Sequence, residues 1–275
     1  MRDHPSPPPF LRYVPTELAF GTSGLRGLVR DMTDLEVGIN VRGFLAYLQE
    51  RGEMAPGESV ALARDLRETD PSTGQSSSPR IARAVVRAVT DDDPGVSGGA
   101  VLHCGQIPTP ALACYAMAQG RVGIMVTGSH IPADRNGVKF FKKSGEVLKS
   151  DEAGILAAVA RVRVAEYART AEVSAFDADG MLKTAPALPS RPFHAEAAAQ
   201  HYRQRYLGLF AGERPLAGMR LVVYQHSAVG RDLLVEILEA LGASVTPVDR
   251  SETFVSIDTE EVRPADDFAP AAISG

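Results

Sequence analysis

Cysteine is scarce in this 275-residue chain, which has only Cys104 and Cys114. They sit ten residues apart with no CxxC and no paired histidines nearby. That excludes a zinc-type spacing, and the pair reads as buried thiols in a reducing compartment. No stretch approaches the roughly 18 apolar residues of a membrane span. The opening "MRDHPSPPPF" has four prolines and no apolar core, so it does not have the form of a signal peptide. Positive charge is not in excess: 29 Lys and Arg stand against 34 Asp and Glu, a net charge of −5. That balance argues against a general nucleic-acid binder. A Walker loop and a dinucleotide fingerprint are also missing, and Ser129 does not stand in a Gly-x-Ser-x-Gly elbow. With 44% hydrophobic and 23% charged residues, a sizeable core is expected. A cytoplasmic globular protein without a membrane partner is the expectation.

The pattern along the chain is one of alternating strands and helices. Residues 1–15 form a proline-rich arm, expected to be flexible. "TDLEVGINVRGFLAYLQERG" opens with Thr33 and Glu36 in capping-box spacing, carries apolar residues at helical intervals and stops at Gly52. Strands are expected at "ESVALARD", "GAVLHCG" and "RVGIMV", and helices at "SPRIARAVVRAV", "TPALACYAMAQ" and "DEAGILAAVARV". The predicted first domain is 16–169. Residues 170–192, with three prolines, read as a linker. Residues 193–275 hold a helix, a strand, a helix and a strand, too few to cover both faces of a sheet. The fold class is therefore α/β: a mixed, mostly parallel sheet sandwiched between helices, followed by an incomplete second α/β domain.

Chemistry concentrates in "VTGSHIPADRNGVKFF", residues 126–141. Gly128 lets the backbone come close, and loop amides cradle anions, so Ser129 is the candidate nucleophile. His130 adjoins it, but adjacent side chains tend to diverge, so a hydrolase-type Ser–His pair is not the natural reading. Asn136–Gly137 reads as a turn that folds Lys139 back toward Ser129. Lys142 and Lys143 read as solvated charges. In "FGTSGLRG", Thr22, Ser23 and three glycines surround Arg26, which suits a bidentate phosphate contact. In "LARDLR", Arg64 and Asp65 stand at a strand's C-terminal end, where α/β sheets collect ligands. "DADG", with Asp177 and Asp179, reads as a polar turn.

Together, in this order, "FGTSGLRG", "ARDLR", "IPTPAL" and "VTGSHIPADRNGVKFF" resemble the phosphohexomutase family of phosphomannomutases and phosphoglucomutases, from about Phe20 to Ile257. The departures are Ala63, Leu66, Gly128 and Ile131. The resemblance implies that Ser129 is a phosphoserine. It would exchange phosphate with a mannose or glucose 1- or 6-phosphate through a hexose bisphosphate. It implies Arg26 and Lys139 as cationic and proton-transfer groups, with His130, Arg64, Thr22 and Ser23 contacting phosphate or substrate. Magnesium would sit between the Ser129 phosphate and a carboxylate loop, Asp-Gly-Asp-x-Asp-Arg, which does not occur in this sequence. The expectation is a truncated mutase, inactive alone. The rivals are a phosphosugar- or partner-binding module and, less favoured, a serine hydrolase.

Overall fold

The computed structural model describes residues 6–21, 24–70, 74, 76–91 and 99–255. Its larger lobe is a seven-stranded mixed sheet. The strands are β1 (Ala19–Phe20), β2 (Gly24–Leu28), β3 (Val60–Arg64), β4 (Val101–Gln106), β5 (Val122–Val126), β6 (Arg135–Lys142) and β7 (Gly145–Glu146). They lie in the order β1-β2-β6-β5-β3-β4, with β7 beside β6. β5, β3 and β4 run parallel, joined by crossover helices α2 (Ser78–Thr90) and α3 (Thr109–Ala118). β6 turns back antiparallel between β5 and β2.

Strand alternation splits the apolar residues into two cores. Leu25, Leu62, Ile124, Val138 and Phe140 face α1 (Asp34–Glu50), α2 and α4 (Lys149–Tyr167). Phe140 stacks on Phe44 of α1 at 4.4 Å between ring centroids. Ala61, Ala63, Met125 and Phe141 point the other way. There they pack with α3 and with Ala198, Leu233, Ile237 and Leu241. Those four belong to a second lobe of α5 (Ala195–Leu209), β8 (Arg220–His226), α6 (Arg231–Ala240) and β9 (Ser244–Arg250). β8 and β9 pair in parallel. The helices of the second lobe therefore finish the first lobe's second core. The apolar face of α6 is buried rather than open, while Val222 and Tyr224 stay exposed on β8.

Several local expectations need correction. Asn136–Gly137 is not a turn, because both residues lie inside β6. The Asn136 side chain is fully buried, donating to Ser77 Oγ at 2.8 Å and Ser78 Oγ at 2.9 Å. Gly137 is required by space, since a Cβ would lie 2.7 Å from Leu25 O and 2.9 Å from Thr127 O. The chain reverses earlier, through Ile131 N–H to Gly128 O and Arg135 N–H to Pro132 O. Lys142 is not solvated: it is buried and paired with Asp151 at 2.7 Å. Lys143 pairs with Glu58 at 2.7 Å.

Thr33 caps α1 from one side only. Its hydroxyl accepts from Glu36 N–H, while the Glu36 carboxylate turns inward and chelates Arg163 of α4 at 2.5 and 2.8 Å. The end of the arm, at Arg12 and Tyr13, and the linker are docked against the larger lobe. Arg12 N–H bonds Ala178 O, Tyr13 shares a hydrogen bond with Thr33, and Phe176 is buried against α1. "DADG" is a turn, with Asp177 Oδ1 accepting from Asp179 and Met181 N–H. Among the described residues no helix is long and apolar enough to cross a membrane.

Candidate functional site

The loop from Thr127 to Asp134 leaves the carboxyl end of β5, where ligands of open α/β sheets gather. Ser129 stands exposed at its top with φ +53°, a left-handed conformation that costs a non-glycine residue about 1–2 kcal/mol. The structure shows what holds it there. Arg67, wholly buried, lies beneath the loop. It donates to four carbonyl oxygens: Ser129 at 3.1 Å, Ile131 at 2.7 Å, Pro132 at 2.8 Å and Arg135 at 3.1 Å. Burial pulls its guanidinium below its usual range and Asp65, 3.3 Å from Nε, opposes this; an arginine stays charged regardless. Asp65 fixes the other side, accepting from Gly128 N–H at 3.1 Å, Arg67 N–H at 3.1 Å and Ser78 Oγ at 2.6 Å. A Cβ on Gly128 would sit 2.4 Å from Arg67 Cζ, so glycine there is a condition of the arrangement. The loop is a rigid pedestal for one hydroxyl.

Around the pedestal the expected residues divide. Lys139 lies on β6, opposite Gly24 of β2 and Met125 of β5, and it lines the same cleft as Ser129 and His130. Arg26 is exposed on β2 opposite Gly137, so antiparallel register puts it on Lys139's face of the sheet. Neither cation has an ion-pair partner among the described residues, and both remain available to an anion. His130 Nδ1 is 3.4 Å from Ser129 Oγ, too long for a strong hydrogen bond. Arg64 is not brought to this cleft. Its side chain bonds Glu68 at 2.6 Å and lines a different cavity. Thr22 and Ser23 lie outside the described residues.

Sequence reasoning missed Arg67, which lies in the same "ARDLR" segment. The signal available was strand alternation: Arg64 still belongs to β3 and shares a face with Leu62, whereas Arg67 follows in the loop. The second lobe was expected, but not its share of the cleft. The cleft, about 1030 Å³, is lined jointly by the Ser129 loop and by the segment from Tyr224 to Arg231 that ends β8 and enters α6. His226 there adopts φ +49°, and burial holds its imidazole below the usual range. Phe254 lays its ring 4.2 Å over the Arg67 guanidinium.

No group of three or more His, Cys, Asp or Glu among the described residues could hold a metal ion. Asp65 is committed to the loop, and Asp177 to its turn. These residues do not fit a magnesium site.

The α/β/α domain thus presents one serine on an arginine-braced loop, with Lys139 and Arg26 nearby and without an ion-pair partner among the described residues. Residues 17–165 match the model of phosphoglucomutase/phosphomannomutase, alpha/beta/alpha domain I. The chain belongs to the phosphoglucomutase/phosphomannomutase family. It is 38% identical over 246 residues to a phosphomannomutase of Sinorhizobium fredii (strain NBRC 101917 / NGR234), covering 90% of this chain and 46% of that protein. It is 27% identical to a phosphoglucosamine mutase of Picosynechococcus sp. (strain ATCC 27264 / PCC 7002 / PR-6), covering 87% and 44%. A crystal structure of a phosphoglucomutase/phosphomannomutase family protein from Burkholderia thailandensis superposes with a TM-score of 0.58 at 21% identity, covering 88% and 46%. The chain thus spans about half the length of the relatives it matches.

Proposed function

We propose that this chain carries the phosphoserine half of a phosphohexomutase site. Ser129 would exchange a phosphoryl group with a mannose or glucose phosphate. The observation that carries the reading is the braced, exposed Ser129 beside Lys139 and Arg26, which no carboxylate among the described residues neutralises. In the forward half-reaction the phosphorus–Oγ bond of phosphorylated Ser129 breaks and a bond to a sugar hydroxyl forms. The proton released by that hydroxyl is taken up by the departing Ser129 Oγ, which leaves as a neutral hydroxyl. The hexose bisphosphate turns over, its other phosphate returns to Ser129 Oγ, and the net change moves phosphate between C1 and C6. Such transfers need positioning and charge neutralisation more than covalent help. Arg67 and Asp65 supply the positioning, and Lys139 and Arg26 the neutralising charge. His130, Thr22 and Ser23 complete the phosphate contacts in this reading.

A mannose or glucose substrate is favoured over glucosamine because identity is higher to the phosphomannomutase than to the phosphoglucosamine mutase. Domain bounds of 16–169 and 193–275 accompany the proposal. One observation favours a second reading, a phosphosugar-binding chain without turnover: no metal-capable cluster occurs among the described residues. The test is incubation of the chain with glucose 1,6-bisphosphate or mannose 1,6-bisphosphate, followed by mass spectrometry of the Ser129 peptide and an assay for 1- to 6-phosphate conversion. The proposal expects phosphate on Ser129 and none anywhere in Ser129→Ala. Binding without labelling supports the second reading. Neither binding nor labelling would overturn both.

A further inference from the structure

A second cavity, of about 490 Å³, opens outside the carboxyl ends of the parallel strands β3 and β4. It lies apart from the Ser129 cleft and shares no lining residue with it. The segment from residue 64 to 68 is the wall between them: Asp65 and Leu66 face the cleft, Arg64 and Glu68 the cavity. Its size falls within the roughly 300–1,000 Å³ of small-molecule sites, and its place is where parallel sheets receive ligands.

Its polar lining is Arg64, Glu68, Arg83, His103, Gln106 and Ser190. Glu68 is already used, accepting from Arg64 at 2.6 Å and from Gln106 at 3.0 Å. That leaves Arg83, half-buried on α2, with no hydrogen bond or ion pair among the described residues. A guanidinium that gives up part of its hydration without a partner is disfavoured unless an anion completes it. His103 is half-buried on β4. Burial, and then the neighbouring His194, hold its imidazole below the usual range, so at neutral pH it serves as a neutral hydrogen-bonding group. The roof is fixed. His194 N–H bonds His103 O at 3.1 Å, and Gly105, at φ +69°, leaves a Cβ position only 3.0 Å from Pro192 Cγ. The cavity is therefore preformed, with Arg83 its one fork-shaped cation unpartnered among the described residues, and with the Arg64–Glu68 pair and the uncharged His103, Gln106 and Ser190 around it.

We propose that this cavity is a second ligand site, taking a small anion, a phosphate monoester or a carboxylate, on Arg83. His103, Gln106 and Ser190 bind its uncharged part. The proposal stands independently of the Ser129 chemistry.

The test is an NMR titration of the full chain with inorganic phosphate and, separately, with citrate, following backbone amides and the Arg83 Nε–Hε resonance. Saturable shifts at Arg83, His103, Gln106 and Ser190 are expected from at least one probe. A response to phosphate assigns a phosphate ester, and a response to citrate a carboxylate. Affinity should fall about tenfold or more in Arg83→Gln, the scale of a lost charge-assisted fork. The shifts should persist in Lys139→Gln, which removes the cation proposed to serve Ser129 and so separates this result from the proposed function. The Arg83 Nε–Hε signal reads the contact in the unaltered chain, so the outcome does not depend on how the variant folds. No saturable shift there with either probe, or shifts that survive Arg83→Gln unchanged, would sink the proposal.

Discussion

Arg64 and Arg67 are three positions apart in one short segment and do different work. Arg64, at the end of β3, reaches Glu68; Arg67 turns under the Ser129 loop and satisfies three of its carbonyls and that of Arg135 at the start of β6. A lysine at 67 keeps the charge but has no planar fork, so it cannot serve four acceptors at once. In Arg67→Lys, the amides of Gly128 and Ile131 should exchange with solvent at least about tenfold faster, and phosphoryl transfer to Ser129 should slow about a hundredfold, the scale of a misplaced reacting atom. Arg64→Ala should leave loop exchange unchanged. Equal effects from both variants would show that Arg67 is not what braces the loop. Composition marks Ser129, Lys139 and Arg26 as notable because hydroxyls and cations stand out among glycines. It does not say which arginine is buried, because burial depends on what packs above it.

At the scale of elements, helix contact is set by small residues. Gly43 of α1 meets α4 so closely that a Cβ would lie 2.4 Å from Val159 Cγ2 and 2.6 Å from Val159 Cα. Gly154 of α4 takes the ring of Tyr47 in the same way, at 2.4 Å. Helix propensity alone favours alanine over glycine by up to about 1 kcal/mol, but here overpacking outweighs it. Gly43→Ala should lose about 1–3 kcal/mol of stability, read from the midpoint of urea unfolding at constant m-value. An unchanged or raised midpoint would mean that α4 slides away at little cost. Asn136 and Gly137 make the same point within a strand. Their dipeptide is a turn signal in isolation. The hydrogen bonds of Asn136 to Ser77 and Ser78, and the close approach of two backbones at Gly137, override it.

For the whole molecule, buried ion pairs tie the sheet to its helix layer. Asp151 accepts from Lys142 at 2.7 Å, Leu148 N–H at 2.8 Å and Tyr47 Oη–H at 2.8 Å. Burial alone would raise its carboxyl. The Lys142 hydrogen bond, followed by those from Leu148 and Tyr47, outweighs burial and holds it below the usual range. Tyr47, in turn, is pushed up to about 12, first by burial and then by Asp151. A carboxyl depressed in the folded state contributes stability that is complete above its unfolded value, about 3.9, and is lost as pH falls through the lower folded value. Asp151→Asn should therefore be less stable at pH 7 and should lose less on acidification from about pH 5 to 2. Thermal unfolding across that range checks it, and parallel acid limbs for the two proteins would contradict it.

Sequence by itself determined the alternation of strands and helices, the two faces of the sheet and the serine loop. Each rests on local periodicity, on caps, or on residue types that stand out within a few positions. Tertiary structure alone decided that Arg67 rather than Arg64 braces the loop and that Asn136–Gly137 continues a strand. It also decided that Lys142 is buried, and that the second lobe's helices complete the first lobe's core. Those outcomes depend on contacts between residues far apart in the chain. Close packing and the need to pair every buried charge select one partner among many, and a local pattern does not contain that choice.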